Sequence, residues 1–122
     1  MLRRLDENWR NGTNTFSRPG ELLLCAHSGS ELVGLCGRNI DPYARDARAG
    51  RVRHLYVRRS HRGQGVGRLL VQAVAHDAGR YFDYLNTRAP REAFPFYESL
   101  GFERVADDPT VTHRLFALFT RL

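Results

Sequence analysis

The densest chemical signal in this sequence is Arg62-Gly63-Gln64-Gly65-Val66-Gly67-Arg68, set between an apolar stretch that reads as a strand and one that reads as a helix. Glycines in such a turn leave successive backbone N–H groups uncovered at a helix N-terminus, a ready site for a phosphate or pyrophosphate. The loop is not a Walker loop, because the chain contains no lysine. Arg68 stands where a dinucleotide fingerprint has its third glycine, so that reading fails too. Arg58, Arg59, His61 and Arg62 form a basic rim around the loop, each phosphate contact being worth about 1–3 kcal/mol. Without a ligand the same residues are a strand-to-helix turn and a solvated strand end, and at least one of the four is expected to be only that.

Two further side chains could carry proton chemistry. Tyr97 lies in the aromatic run Phe94-Pro95-Phe96-Tyr97, where by itself it is an amphipathic core residue. His54 lies on the strand before the loop; strict alternation puts it on the face of Val52 and Tyr56, and a lone strand histidine is more often structural. Cys25 and Cys36 match no common zinc spacing and read as reduced, buried thiols.

Composition limits the remaining possibilities. The 122 residues suit one domain spanning the chain, and 42% hydrophobic with 26% charged residues is an ordinary globular balance. All 19 basic residues are arginine, which excludes a lysine Schiff base or lysine general base. Against 13 acids they give a net charge of +6 and a pI near 10.1, pointing to an anionic partner. Coding bias alone also produces an arginine-only surface, so charge carries little of the argument. No apolar run is long enough for a membrane span and the start lacks a signal-peptide core, so no membrane partner and a cytoplasmic location are expected.

The elements that must position these residues follow from periodicity. Leu2, Leu5 and Trp9 have helical spacing, predicting a short helix over residues 2–10. Residues 21–26 and 31–38 form a hairpin around Ser28-Gly29-Ser30, and residues 51–58 a third strand. Leu70, Val71, Val74 and Ala75 mark the buried face of a helix closed by Gly79. A strand over 82–87 follows, then a helix over 91–100 ended by Gly101, with Pro95 kinking it or delaying its start. Strands over 102–105 and 111–120 complete a mixed α/β (α+β) domain without repeats.

Leu55-Tyr56-Val57 followed by the glycine loop resembles the acyl-CoA signature of the GNAT superfamily of N-acetyltransferases, whose Q/R-x-x-G-x-G/A core is matched by Arg62, Gly65 and Gly67. A second block, residues 93–102, is similar to the family's A-x-x-F-Y-x-x-x-G-F segment. The resemblance covers residues 21–120. It implies a GNAT-like, largely antiparallel mixed sheet flanked by helices, here without the usual first strand and part of the first helices. It implies acetyl-CoA as acyl donor, held through residues 62–68, with Leu55, Tyr56 and Val57 pairing with the pantetheine arm and Phe96 beside it. The Val57 N–H becomes the oxyanion donor and the Tyr97 hydroxyl the acid near the sulfur, in direct transfer to a small-molecule or peptide amine.

The sequence also departs from that family. Arg51 occupies a position that is often acidic in relatives and leaves the general base unassigned; Pro90 replaces a common asparagine, for which Asn86 is the nearest substitute. The short opening implies an upstream start, an open acceptor site or a homodimer contact covering the edge. Two other readings stand beside the enzyme: a coenzyme-A-binding or regulatory module with little catalysis, and a basic RNA-associated protein using residues such as Arg3, Arg4 and Arg10. The aromatic and basic interleaving of an RNA-reading surface is not evident, so nucleic acid is not expected.

Overall fold

The computed structural model describes residues 2–5 and 16–116. Within them seven strands form one sheet: β1 (Leu2–Leu5), β2 (Leu22–Ser28), β3 (Glu31–Ile40), β4 (Ala49–Val57), β5 (Tyr84–Thr87), β6 (Glu103–Arg104) and β7 (His113–Phe116). They lie in the order β1-β2-β3-β4-β5-β7-β6. Every neighbouring pair is antiparallel except β4 with β5. Helix α1 (Val66–Ala75) carries the crossover between those two, and α2 (Phe94–Ser99) follows β5. This is the mixed, largely antiparallel sheet flanked by helices that the motifs imply.

The opening residues differ from expectation. Leu2–Leu5 are a strand paired with residues 23–26 of β2, not the start of a helix. Two leucines three apart fit either period over so short a run, and the ladder to β2 decides it. A strand therefore precedes the hairpin where none was expected, and it forms one edge of the sheet. The rest of the predicted helix, residues 6–10, lies outside the described residues, as do residues 117–120 of the last predicted strand.

Helix α1 buries Leu70, Val71, Val74 and Ala75 as its spacing requires, packing on β2, β3 and β4. A side chain at Gly34 would place its Cβ 2.9 Å from the Tyr56 carbonyl oxygen and 3.0 Å from Leu70 Cδ1, so glycine permits this close seating. The helix ends at Ala75, short of Gly79. Buried Arg38 donates from Nη1 to the Val74 carbonyl at 2.6 Å, taking the acceptor that a continuing helix would give to Ala78. The same nitrogen meets Asp77 Oδ1 at 2.7 Å, and Nε donates to the Gly20 carbonyl at 2.7 Å. One guanidinium thus ties β3, the loop before β2 and the end of α1 together.

After Pro90 a 3-10 turn (Arg91–Ala93) delays α2, which starts at Phe94 with Pro95 in its first turn. Gly101, at φ 93°, closes it: its N–H donates to the Glu98 carbonyl and that of Phe102 to the Tyr97 carbonyl. This left-handed cap requires glycine, as the sequence indicates.

Where β4 and β5 meet, the sheet forks. Their register runs Ala49 with Tyr84, Gly50 with Leu85 and Arg51 with Asn86, beyond which β4 pairs with β3 alone. Buried Asp41 sits at the fork, with Oδ1 3.2 Å from Arg51 Nε and Oδ2 accepting from Asn86 Nδ2 at 2.8 Å. Arg51 also donates to the Thr110 carbonyl and stacks over Tyr43, 4.8 Å from the ring centroid. Removing one partner leaves a buried charge uncompensated, so Asp41→Ala is expected to lower unfolding free energy by about 3–5 kcal/mol in urea titration. Unchanged stability would show that the pair does not hold the fork.

Candidate active site

The fork opens a groove. On one side run residues 52–57 of β4, on the other residues 87–90, with α2 beneath. Two cavities share it, about 590 Å³ at the fork and about 550 Å³ beside the glycine loop. Leu55 and Phe96 line both, so the two meet there.

Strand β4 presents its backbone to this groove because of a bulge. Leu35 pairs with Tyr56 but Gly37 with Arg53, so His54 and Leu55 together oppose Cys36. His54 takes the left-handed conformation, φ 60°. Before the bulge the Asp41 N–H donates to Ala49 at 2.8 Å; beyond it the Arg58 N–H donates to Val33 at 2.7 Å. Alternation from these two bonds means that the outward N–H groups change from even to odd positions across the bulge. The Val57 N–H consequently points away from β3, into the groove. Its carbonyl does likewise and accepts from Arg62 Nε at 3.0 Å.

At the loop end, Leu55, Tyr56, Val57, Arg62, Gly63 and Gly65 line the cavity, joined by Val66, Gly67, Arg68, His61 and Phe96. Gly63 and Gly65 have φ 80° and 84°, and a Cβ on either would meet nothing within 4 Å. The glycines therefore serve backbone conformation and leave space above the loop. The first turn of α1 carries no acidic residue, so its N–H groups and positive dipole end are uncancelled. Arg68 is steadied by a bond from Nη2 to Ser99 Oγ at 3.0 Å. Gln64 is not brought to the cavity; its amide nitrogen turns back toward the Ser60 carbonyl, 3.5 Å away. Of the basic rim, His61 and Arg62 line the cavity, Arg58 is paired with Glu31, and Arg59 lies outside it.

At the fork end Tyr97 is 5% exposed and lines the cavity. Its ring packs against Phe96, Phe102 and His113 with centroids at 5.0, 5.2 and 6.3 Å. Burial, reinforced by the Cys36 thiol and opposed by a hydrogen bond with Thr87, pushes its hydroxyl up to about 12. Cys36 itself is fully buried and its thiol is also pushed up to about 12 by desolvation; it and Cys25 are unpaired thiols.

His54 is the residue that strand periodicity misplaces. The bulge breaks the alternation that would group it with Val52 and Tyr56; both Val52 and His54 line the fork cavity, but Val52 is buried in the core whereas His54 is exposed, its ring 6.0 Å from that of Phe16. Partial burial first and neighbouring Arg53 second hold its pKa below the ordinary histidine value, favouring the neutral imidazole. Nothing in the sequence pattern signals a bulge at that point. Asn86, the nearest substitute for the missing asparagine, is not available to a ligand: it is 1% exposed and its amide is shared between Asp41 and Arg114.

The acetyltransferase (GNAT) domain model matches residues 19–104, and the chain belongs to that family. A protein from Exiguobacterium sp. 255-15 described as an acetyltransferase superposes with a TM-score of 0.83 at 25% identity, over 99% of this chain and 97% of its own. An acetyltransferase of Trypanosoma brucei gives 0.66 at 21% identity, covering 88% and 95% of the two chains. A mutant of the AtaT toxin, in complex with acetyl-CoA and the C-terminus of the antitoxin AtaR, gives 0.71 at 14% identity over 99% and 95%.

The loop can be tested against a built-in control. Gly29, in the β2–β3 turn, is also left-handed at φ 61° with nothing within 4 Å of an added Cβ. Gly65→Leu and Gly29→Leu should each cost about 1–2 kcal/mol of backbone strain. Only Gly65→Leu is expected to weaken coenzyme A binding, by about tenfold or more in calorimetric titration. Equal affinities in the two folded variants would remove the loop from coenzyme binding.

Proposed function

We propose that this chain transfers the acetyl group of acetyl-CoA to an amine by direct attack, both substrates being bound in the groove together. The observation that carries the reading is the Val57 N–H, turned by the bulge into a groove that has a glycine loop at one end and a buried tyrosine at the other. The residues fit the coenzyme: the loop offers unfilled space, uncancelled N–H groups and the cations Arg62 and Arg68. Bound there, acetyl-CoA supplies an activated thioester carbonyl.

The Val57 N–H is placed to stabilise the charge that develops on the carbonyl oxygen. The amine lone pair forms the new C–N bond and the C–S bonding pair leaves with sulfur, which finally takes a proton matching the one lost from nitrogen. Arg51 cannot accept that proton. His54 is the one histidine lining the fork cavity among the described residues and is the base in this reading. Tyr97 acts as a hydrogen-bond donor to the departing sulfur rather than as a full proton donor, since a phenol pushed up to about 12 is a weaker acid than a thiol near about 8.5.

Acetyl-CoA and coenzyme A are expected to bind with micromolar affinity by calorimetry, and no binding would end the proposal. Tyr97→Phe is expected to lower kcat by about tenfold to a hundredfold with little change in the KM for acetyl-CoA. Full activity would leave Tyr97 as packing. His54 loses its basic form as it protonates, so kcat/KM should fall on the acid side with a midpoint below about 6.5. His54→Asn, which tolerates the left-handed backbone, should slow transfer and abolish that acid limb; a limb that persists in the variant would assign it elsewhere.

A further inference from the structure

The charged groups that line the fork cavity are all cationic, Arg51, Arg53 and Arg88, beside the neutral imidazole of His54, and no described aspartate or glutamate lines it. Their roles differ. The charge of Arg51 is matched by buried Asp41 beside it. Asp108, close to this end, is occupied by the backbone and hydroxyl of Thr110. Arg53 on β4 and Arg88 just after β5 face the cavity from its two walls, and neither has a carboxylate partner among the described residues.

We propose that the acceptor is an amine that carries its own anion, a carboxylate or a phosphate, held by Arg53 and Arg88 at the fork while its nitrogen faces His54 and the Leu55–Phe96 junction. The inference rests on the acetyltransferase reading and specifies its substrate class. Two unpaired guanidinium groups across a half-enclosed cavity form the charge-assisted bonds that a carboxylate or phosphate accepts, bidentate where the planes allow. They repel a diamine, whose second ammonium would have no counter-charge there. They also act on the reacting group: positive walls disfavour the ammonium form and so raise the share of neutral, nucleophilic amine. His54 has Arg53 and Arg88 as its charged neighbours in the cavity, with Arg51 neutralised by Asp41, and partial burial first and Arg53 second favour its basic form.

The test uses the full chain and matched acceptors: β-alanine with β-alaninamide, O-phosphoethanolamine with ethanolamine, and putrescine. Coenzyme A is titrated first by calorimetry, the anionic probes are then titrated into the coenzyme-saturated protein, and transfer is followed by thiol release from acetyl-CoA. The anionic member of at least one pair is expected to exceed its neutral partner by about tenfold or more in kcat/KM. Which pair does so distinguishes carboxylate from phosphate. In the Arg53→Gln, Arg88→Gln double variant that ratio should fall to about threefold or less. Neutral amines or putrescine used as well as the anionic ones, a ratio unchanged in the double variant, or no anionic probe bound by the coenzyme-loaded protein would each overturn the inference and leave the acetyltransferase reading standing. Failure to bind coenzyme A in the first titration would overturn both.

Discussion

The groove exists because β4 and β5 stop pairing, and Asp41 is what holds them at that point. A parallel pair has no intrinsic reason to part after three residues; unpaired backbone is costly unless something else satisfies it. Here the last paired residues, Arg51 and Asn86, both turn to one buried carboxylate. Arg51 then reaches across to the Thr110 carbonyl in the segment before β7, and Asn86 accepts from Arg114 Nε at 2.7 Å. Four charged or polar side chains from separate segments therefore come together at the fork. A buried ion pair of this kind adds little net stability over an apolar replacement. Its effect is to make one strand arrangement far better than its competitors.

The bulge completes what the fork begins. An open strand edge offers every second N–H, and which ones it offers depends on register alone. One inserted residue between Arg53 and Tyr56 changes the outward set, so that Val57, beside the glycine loop, presents its N–H to the groove. The cost is a non-glycine residue at φ 60°, of order 1–2 kcal/mol. The inserted residue is a histidine, which leaves the regular pleat and lines the fork cavity. Strain and a titratable group thus coincide at one position.

How much of this the sequence discloses depends on the range over which each feature is determined. The loop and α1 were legible because glycine conformation, helix periodicity and capping are settled within a few residues: Gly63, Gly65, the buried face from Leu70 to Ala75 and the Gly101 cap all fall where spacing puts them. Leu2–Leu5 is ambiguous in sequence because a four-residue run carries no decisive period and its ladder partner lies some twenty residues on, in β2. His54 and Asp41 were illegible for a stronger reason. A bulge is a property of two strands, and Asp41 resembles any loop aspartate beside Pro42 until β5 brings Asn86 against it. Gln64 and Asn86 show the converse, polar residues near the site in sequence whose amides are spent on the protein itself.

The arginine at position 51 then takes on a different meaning. Read along β4 it is the loss of an acid where relatives often carry one, and it suggests a weakened enzyme. In three dimensions a carboxylate is still present at the fork, contributed by Asp41 from the end of β3, but one oxygen meets Arg51 and the Tyr43 N–H while the other accepts from Asn86. A carboxylate so buried and so fully engaged serves as a fixed counter-charge and has no lone pair directed at a bound amine. Neutralising Arg51 in this way leaves Arg53 and Arg88 as the unbalanced charges of the cavity, while burial first and Arg53 second hold the His54 imidazole below its ordinary pKa. Under the proposed function, Arg51, the buried Asp41 and the histidine at the bulge form one electrostatic arrangement, in which proton acceptance falls to the bulge and the fork serves as the anchor.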